Sequence, residues 1–439
     1  MKTLLKLTIA VGIILCLLAP WACISKGNTE GLTQDAWPMF HDDAEHTGVS
    51  GSTAPSTNRT LWTYTTGGKI FSSPAVANGV VYIGSFDDKI YAINALTGVT
   101  IWTFTTGGAI YSSPAVSDGV VYVGSSDHDV YALNASTGAQ LWNFTTGREV
   151  FSSPTVADGT VYFGSDDDHI YALNAQTGEL KWSYKTGDFV QSSPAVSGGR
   201  VYVSSNDTSI YTFNATNGKK LWTFKTGGHV VSSPSVADDV VYVGSYDNNT
   251  YALNAANGAL IWNRTTYYDI CMQSSPAVYD GLVYTGASRL FSFNYPQPKI
   301  PVQASIGDKV YALNATTGAF VWNYTTGGGV WSSPAISGST VFVGSGDCKL
   351  YALNALTGKF QWSYKTNSTV YSSPAVVDGV VYFGSSDGNV YAIGLPIPTG
   401  NSGALTSTRL TVVAVLIVAF LALTIFLLIL KRKRKHKMP

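Results

Sequence analysis

The apolar residues of this 439-residue chain fall into two kinds of run. Across residues 61–393 they come in short stretches rich in Val, Tyr, Ile and Thr, cut by Gly, Asp and Asn before any helical period develops. That is the pattern of strands joined by tight turns. One unit reads IYSSPAV, VVYVGSS, VYALNA and LWNFTT, four strands in succession, and the unit then recurs. Trp62, Trp102, Trp142, Trp182, Trp222 and Trp262 stand 40 residues apart, Trp322 follows after 60 and Trp362 after 40 more. A period of this size means one building block used many times, and four antiparallel strands per block make a propeller blade. The expected fold is all-β, an eight-bladed propeller over 61–393.

The second kind of run lies at the ends. Lys2 and Lys6 precede an uncharged stretch over 7–19 with small residues after it, so 1–22 is expected to be a signal peptide, too short to span a membrane. Residues 410–430 carry no charge and are followed at once by KRKRKHK. As a helix they reach about 31 Å, enough for a bilayer core. The basic residues hold the tail, 431–439, in the cytoplasm. The chain thus reads as a single-pass cell-membrane protein with one C-terminal transmembrane helix and an extracellular propeller. A segment over 23–60 leads into the ring, and 394–409, rich in Pro, Gly and Ser, is a flexible stalk.

Within the repeat, three punctuation marks carry information. Ser-Ser-Pro opens at Ser72, Ser112, Ser152, Ser192, Ser232, Ser274, Ser332 and Ser372. Proline in a sheet is confined to edges, so the triplet is expected on the innermost strand, facing a central channel where eight blades crowd and small side chains fit. Asp recurs between the second and third strands at Asp87, Asp127, Asp167, Asp207, Asp247, Asp347 and Asp387. Metal cages need ligands converging on one point, whereas these stand one per blade; a tight-turn role suits them. The residue before each Ser-Ser-Pro varies: Phe71, Tyr111, Phe151, Gln191, Val231, Gln273, Trp331 and Tyr371. The aromatics form one arc when the ring closes, with Gln191, Val231 and Gln273 opposite. Either they line a ligand-binding mouth, or they pack between blades.

The pattern AxNxxTGxxxW ends at Trp102, Trp142, Trp182, Trp322 and Trp362, and at Trp222 and Trp262 with Asn in place of Thr. It resembles the tryptophan-docking motif of the quinoprotein-dehydrogenase-like eight-bladed propellers, the pyrroloquinoline quinone repeat superfamily. WPMFHDDAEHTG (37–48) resembles the segment by which such chains begin. The docking tryptophans, Trp62 included, are expected to fill the space between blades, and joining the strand of Trp62 to that of Tyr391 closes the ring. The resemblance implies two branches. Its enzymes hold the quinone between a vicinal disulfide and a Trp, bind calcium through Glu, Asn and Asp, and use an Asp base. This chain has no vicinal cysteines, and only Glu149 and Glu179 lie in the propeller. No catalytic, cofactor-binding or metal-binding residue is assigned, and no cofactor is expected. The other branch, resembling the outer-membrane assembly lipoprotein, is non-enzymatic. The expected function is therefore a protein-binding or assembly scaffold; a quinone-dependent dehydrogenase and a carbohydrate or surface-layer binding protein are the alternatives.

Charge and cysteines change the picture slightly. The chain is formally neutral, with 27 basic and 27 acidic residues. Setting aside Lys2, Lys6 and the six Lys and Arg of the tail leaves 23–409 with 27 acidic against 19 basic residues, which argues against nucleic acid as a partner. A protein partner outside the cell and a monomeric ring are expected. Cys271 and Cys348 are expected to pair in an oxidising compartment. The repeat breaks at 287–307, where Phe291, Phe293 and Tyr295 form a candidate partner loop. Ten Asn-x-Ser/Thr sequons are candidate glycan sites. His41, Asp42, Asp43, Glu45 and His46 offer metal-ligand chemistry, but are expected to pack against the ring as a plug.

Overall fold

The structure, a computed structural model, describes residues 36–266, 270–271, 274–289 and 308–395. The expected signal peptide, the stalk beyond Leu395, the transmembrane helix, the tail and the loop residues Phe291, Phe293 and Tyr295 lie outside them. Among the described residues no helix is long and apolar enough to cross a membrane.

Eight antiparallel four-stranded arrays form a ring of blades. In the first, Ala75–Ala77 is innermost, followed outward by Val80–Gly84, Lys89–Asn94 and Thr100–Thr105. Tight turns join them as the sequence requires. Asn78 and Gly79 both have positive φ (51° and 73°), the backbone of a two-residue hairpin. The residue after each hairpin Asp is left-handed as well, from Asp88 at 64° to Gly388 at 84°. Asn94 Oδ1 accepts the backbone N–H groups of Leu96 and Thr97, an Asx turn that sends the chain back as the fourth strand.

That fourth strand carries a bulge one residue before its tryptophan: in the second blade the register skips between Gln140 and Trp142. A bulge re-aims the following side chain, and here it turns the indole towards the next blade. Trp102 Nε1 donates to the carbonyl of Ala135, 2.8 Å away. Tyr82 donates its hydroxyl to the same oxygen at 3.1 Å. Gly138, at φ 72°, lies on the indole face so closely that a Cβ there would come within 2.7 Å of it. Seven tryptophans make this bond, over 2.7–3.1 Å.

The ring closes as the sequence leads one to expect. Thr60–Thr65 from the start of the chain pairs antiparallel with Asn389–Gly394 and becomes the outer strand of the last blade. One seam differs. The blade before this closure has Phe342 where its neighbours have the donating tyrosine, and Trp362 Nε1 has no partner among the described residues. The described chain of the next blade ends at Leu395, before the place that a docking turn would occupy.

Two features depart from expectation. The innermost strands are three residues long and begin after Ser-Ser-Pro, not with it. The reason is local: Pro has no N–H to give a ladder, and the first serine takes over, Ser72 Oγ accepting the N–H of Gly84 at 3.1 Å. In the sixth blade the second strand extends over eight residues, Leu282–Arg289, and pairs with an added strand, Ile270–Cys271.

Candidate functional site

The second serine of each triplet builds the centre of the ring. Ser73 N–H donates to Ser113 Oγ, Ser113 N–H to Ser153 Oγ, and so on through Ser193, Ser233, Ser275 and Ser333, until Ser373 N–H donates to Ser73 Oγ. Eight hydrogen bonds of 2.9–3.0 Å thus form a closed circle about the channel. The sequence reading assigned these serines small bulk alone; their inter-blade bonding was missed.

Above the circle a cavity of about 480 Å³ opens. Phe71, Tyr111, Phe151, Gln191, Val231, Trp331 and Tyr371 line it together with the serines. These side chains therefore surround the channel and do not fill the gaps between blades. Gln273 lies outside the described residues. The aromatic rings touch in sequence: Trp331 to Tyr371 at 4.8 Å between centroids, Tyr371 to Phe71 at 4.9 Å, Phe71 to Tyr111 at 5.6 Å and Tyr111 to Phe151 at 4.7 Å. Phe86, from a neighbouring hairpin, braces the arc at 4.6 Å from Phe71 and 4.2 Å from Tyr111. Trp331 has room because the equivalent hairpin position in its blade is Gly346, where a Cβ would stand 2.7 Å from the indole. The first five blades and the eighth carry Phe86, Ser126, Asp166, Asn206, Tyr246 and Ser386 at that place.

Opposite the arc, Gln191 Nε2 donates to Asp166 Oδ2 at 3.0 Å. Asp166 is almost wholly buried, and its burial pushes the carboxyl up to about 6, more than the Gln191 hydrogen bond pulls it down.

The cavity floor is Phe40, from the segment that leads into the ring. This segment is a strap across the far end of the channel. Its carbonyls at Trp37, Pro38, Ala44, Glu45, Thr47 and Gly48 accept the N–H groups of Val76, Val116, Val196, Val236, Val278 and Ile336, one per inner strand. Six of the eight inner edges that a propeller leaves unpaired are thereby satisfied. His41 and His46 lie within the strap as the plug that was expected. His46 Nδ1 donates to the Pro234 carbonyl and Nε2 accepts from Thr155, the assignment of a neutral ring. Burial lowers His41 to about 4 and His46 to about 3, and at His46 the neighbouring His41 disfavours the charged form further. Among the described residues no group of three or more His, Cys, Asp or Glu converges as metal ligands.

The hairpin aspartates have a structural use. Asp127 Oδ2 accepts the hydroxyl of Tyr131 at 2.7 Å and the N–H of Gly107 at 2.5 Å, tying the entrance of the blade to its hairpin. Six more repeat the tyrosine bond. Cys348 sits in one such hairpin at φ 66°; the side chain of Cys271, its expected partner, lies outside the described residues. Phe40, Phe86, Asp166 and Gly346 are site residues that sequence reasoning missed. Only a register of hairpin positions, blade by blade, would have shown Gly346 as the seat of Trp331.

Residues 157–399 match the family model described as "Beta-alanine-activating enzyme, beta-propeller". Residues 52–110 and 87–189 match that of the outer membrane protein assembly factor BamB. No curated protein matches the chain by sequence. Among solved structures, a europium-containing methanol dehydrogenase is similar at a TM-score of 0.71 and 15% identity, covering 82% of this chain and 98% of its own. BamB from Moraxella catarrhalis gives 0.64 and 18%, covering 77% and 99%. The quinohemoprotein alcohol dehydrogenase from Comamonas testosteroni gives 0.71 and 18%, covering 84% and 82%.

Proposed function

Since the chain belongs to the beta-propeller family of the beta-alanine-activating enzyme and carries pyrroloquinoline-quinone-like repeats, we propose that it is an exported, membrane-anchored recognition scaffold that binds a protein partner at the channel mouth. The observation that carries this reading is where the blades differ. The repeated polar side chains are occupied within the ring itself: serine with serine, aspartate with tyrosine and glycine N–H, asparagine with its own turn. Apart from the seam at Trp362, the departures from repetition gather at the mouth, in the aromatic arc, in Gly346 and in the extended hairpin strand of the sixth blade. The similarity to BamB, a named assembly factor, supports the same direction. Export and anchoring rest on the terminal runs, 1–22 and 410–430.

The similarity to dehydrogenases supports a second reading, catalysis with a bound quinone. The described lining does not fit that group. Pyrroloquinoline quinone is a tricarboxylate, and no Lys, Arg or His lines the cavity; burying carboxylates without a counter-charge is costly. Calcium would need convergent carboxylates, which the described residues do not supply.

A photo-crosslinking amino acid placed at Tyr111, on the mouth, and at Leu141, on the outer edge, tests the scaffold in intact cells. One discrete adduct from position 111 and none from 141 is the expected result. Equal labelling, no adduct, or quinone-dependent alcohol oxidation by the purified chain would sink it.

A further inference from the structure

We infer that the cavity above the serine circle is a binding site for a neutral saccharide unit, located at the same mouth as the proposed protein partner but tested without one. Its volume, about 480 Å³, lies in the range of small-ligand pockets. Its walls are of two chemistries. On one side an unbroken row of rings runs from Trp331 through Tyr371, Phe71 and Tyr111 to Phe151. Beneath it runs the serine circle. Each Oγ there accepts one backbone N–H, and a hydroxyl so engaged still has its proton and a second lone pair. Ser73, Ser113, Ser153, Ser233, Ser333 and Ser373 thus present hydroxyls to the cavity. Gln191 adds an amide, oriented by its bond to Asp166.

The described lining contains no formally charged side chain. A phosphate, carboxylate or ammonium would lose its hydration against neutral groups that offer it no counter-charge, which disfavours its entry. A purely aromatic ligand would stack on the arc but leave the hydroxyls and the amide unmatched. A sugar ring meets both demands, since its C–H face lies on an aromatic ring while its edge hydroxyls exchange hydrogen bonds with serine and amide. The blind floor at Phe40 limits entry to the end of a glycan or a short one, not a chain threaded through the ring.

The test uses the full-length chain in lipid nanodiscs and saturation-transfer NMR, with cellobiose, chitobiose and mannobiose as probes and citrate as the charged control. At least one disaccharide should give saturable transfer and citrate none. Trp331→Ala and Tyr371→Ala should each weaken that binding at least tenfold, and Gly346→Ala, which displaces the indole from its seat, at least threefold, while Leu141→Ala leaves it unchanged. If the alanine variants do not fold, Trp331→Phe keeps a ring in place and should still shift affinity at least threefold. The inference is overturned if none of the three disaccharides binds, if folded mouth variants bind as well as the parent chain, or if citrate binds in their stead.

Discussion

Two positions of the repeat that stand two residues apart, the residue before Ser-Ser-Pro and the second serine within it, have opposite characters. The serine is the same in all eight blades and bonds to its own copies in a closed circle. The residue before it takes five identities, Phe, Tyr, Gln, Val and Trp, and the described copies face the cavity. What eight blades share holds the ring together and floors the cavity with hydroxyls, and what they do not share gives the cavity its two unlike walls. In an array whose units contact mainly their neighbours, a contact repeated at every seam is a structural one, so recognition has to come from positions released from that duty.

The largest effect expected on this division is at a seam. Trp102→Ala removes an indole packed on Gly138 and leaves the Ala135 carbonyl with one donor fewer; a loss of about 3–5 kcal/mol in denaturant unfolding is expected. Trp362→Ala should cost clearly less, because that indole makes no such bond among the described residues. Equal losses would mean that the eighth seam is docked like the rest.

The strap blurs the division, being single-copy yet structural. His41 and His46 are neutral in the fold, lowered to about 4 and about 3 from an ordinary 6.5. Below pH 6.5 the unfolded chain takes up protons that the native one refuses, so their contribution is intact above pH 6.5 and lost as pH falls towards 4. The slope is up to ~1.4 kcal/mol per pH unit for each histidine. Asp166, raised to about 6, works the other way between its ordinary value and 6, favouring the native state on acidification. Asp43 and Glu45, raised by burial in the strap, act in the same sense as Asp166, and the net expectation from the two histidines is still a fall in stability between pH 7 and pH 5, read from urea midpoints. A rise over that interval would contradict the buried, neutral pair.

Ser153→Ala leaves the N–H of Ser113 without its acceptor inside the ring, at about 1–3 kcal/mol. Smallest is Tyr371→Ala, on the variable side. It should cost about 1 kcal/mol of stability through lost stacking on Phe71 and Trp331, while removing ligand binding. A loss three times larger would make the arc a core element and erase the contrast.

Most of the fold was legible because its signals are local and repeated. The Trp spacing gave the blade count, Asn-x-x-Thr-Gly the third turn, and the left-handed residue after each Asp the second. Joining Trp62 to the strand of Tyr391 needed only the observation that each lacked what the other had. The site was half legible. The arc could be read from one column of the repeat, but Phe86, Asp166 and Gly346 come from a second column whose closeness to the first arises only when hairpins fold over the mouth. Phe40 reaches the cavity from a segment with no repeat at all. The serine circle was hidden for a different reason: a serine seen alone looks small, and its partner is the same letter 40 residues on.

The clasp of the last blade has a consequence in time. Its outer strand, Thr60–Thr65, is made at the very start of the ring, and the edge that receives it, Asn389–Gly394, at the very end. Each new blade can settle on the one before it as it emerges, by contacts close in sequence. The clasp must wait for more than 300 residues to pass, and pairings so distant in the chain form late. Until then the first strand remains an open edge, so the interval between its synthesis and that of the last blade is when this chain is most exposed to pairing with a wrong partner.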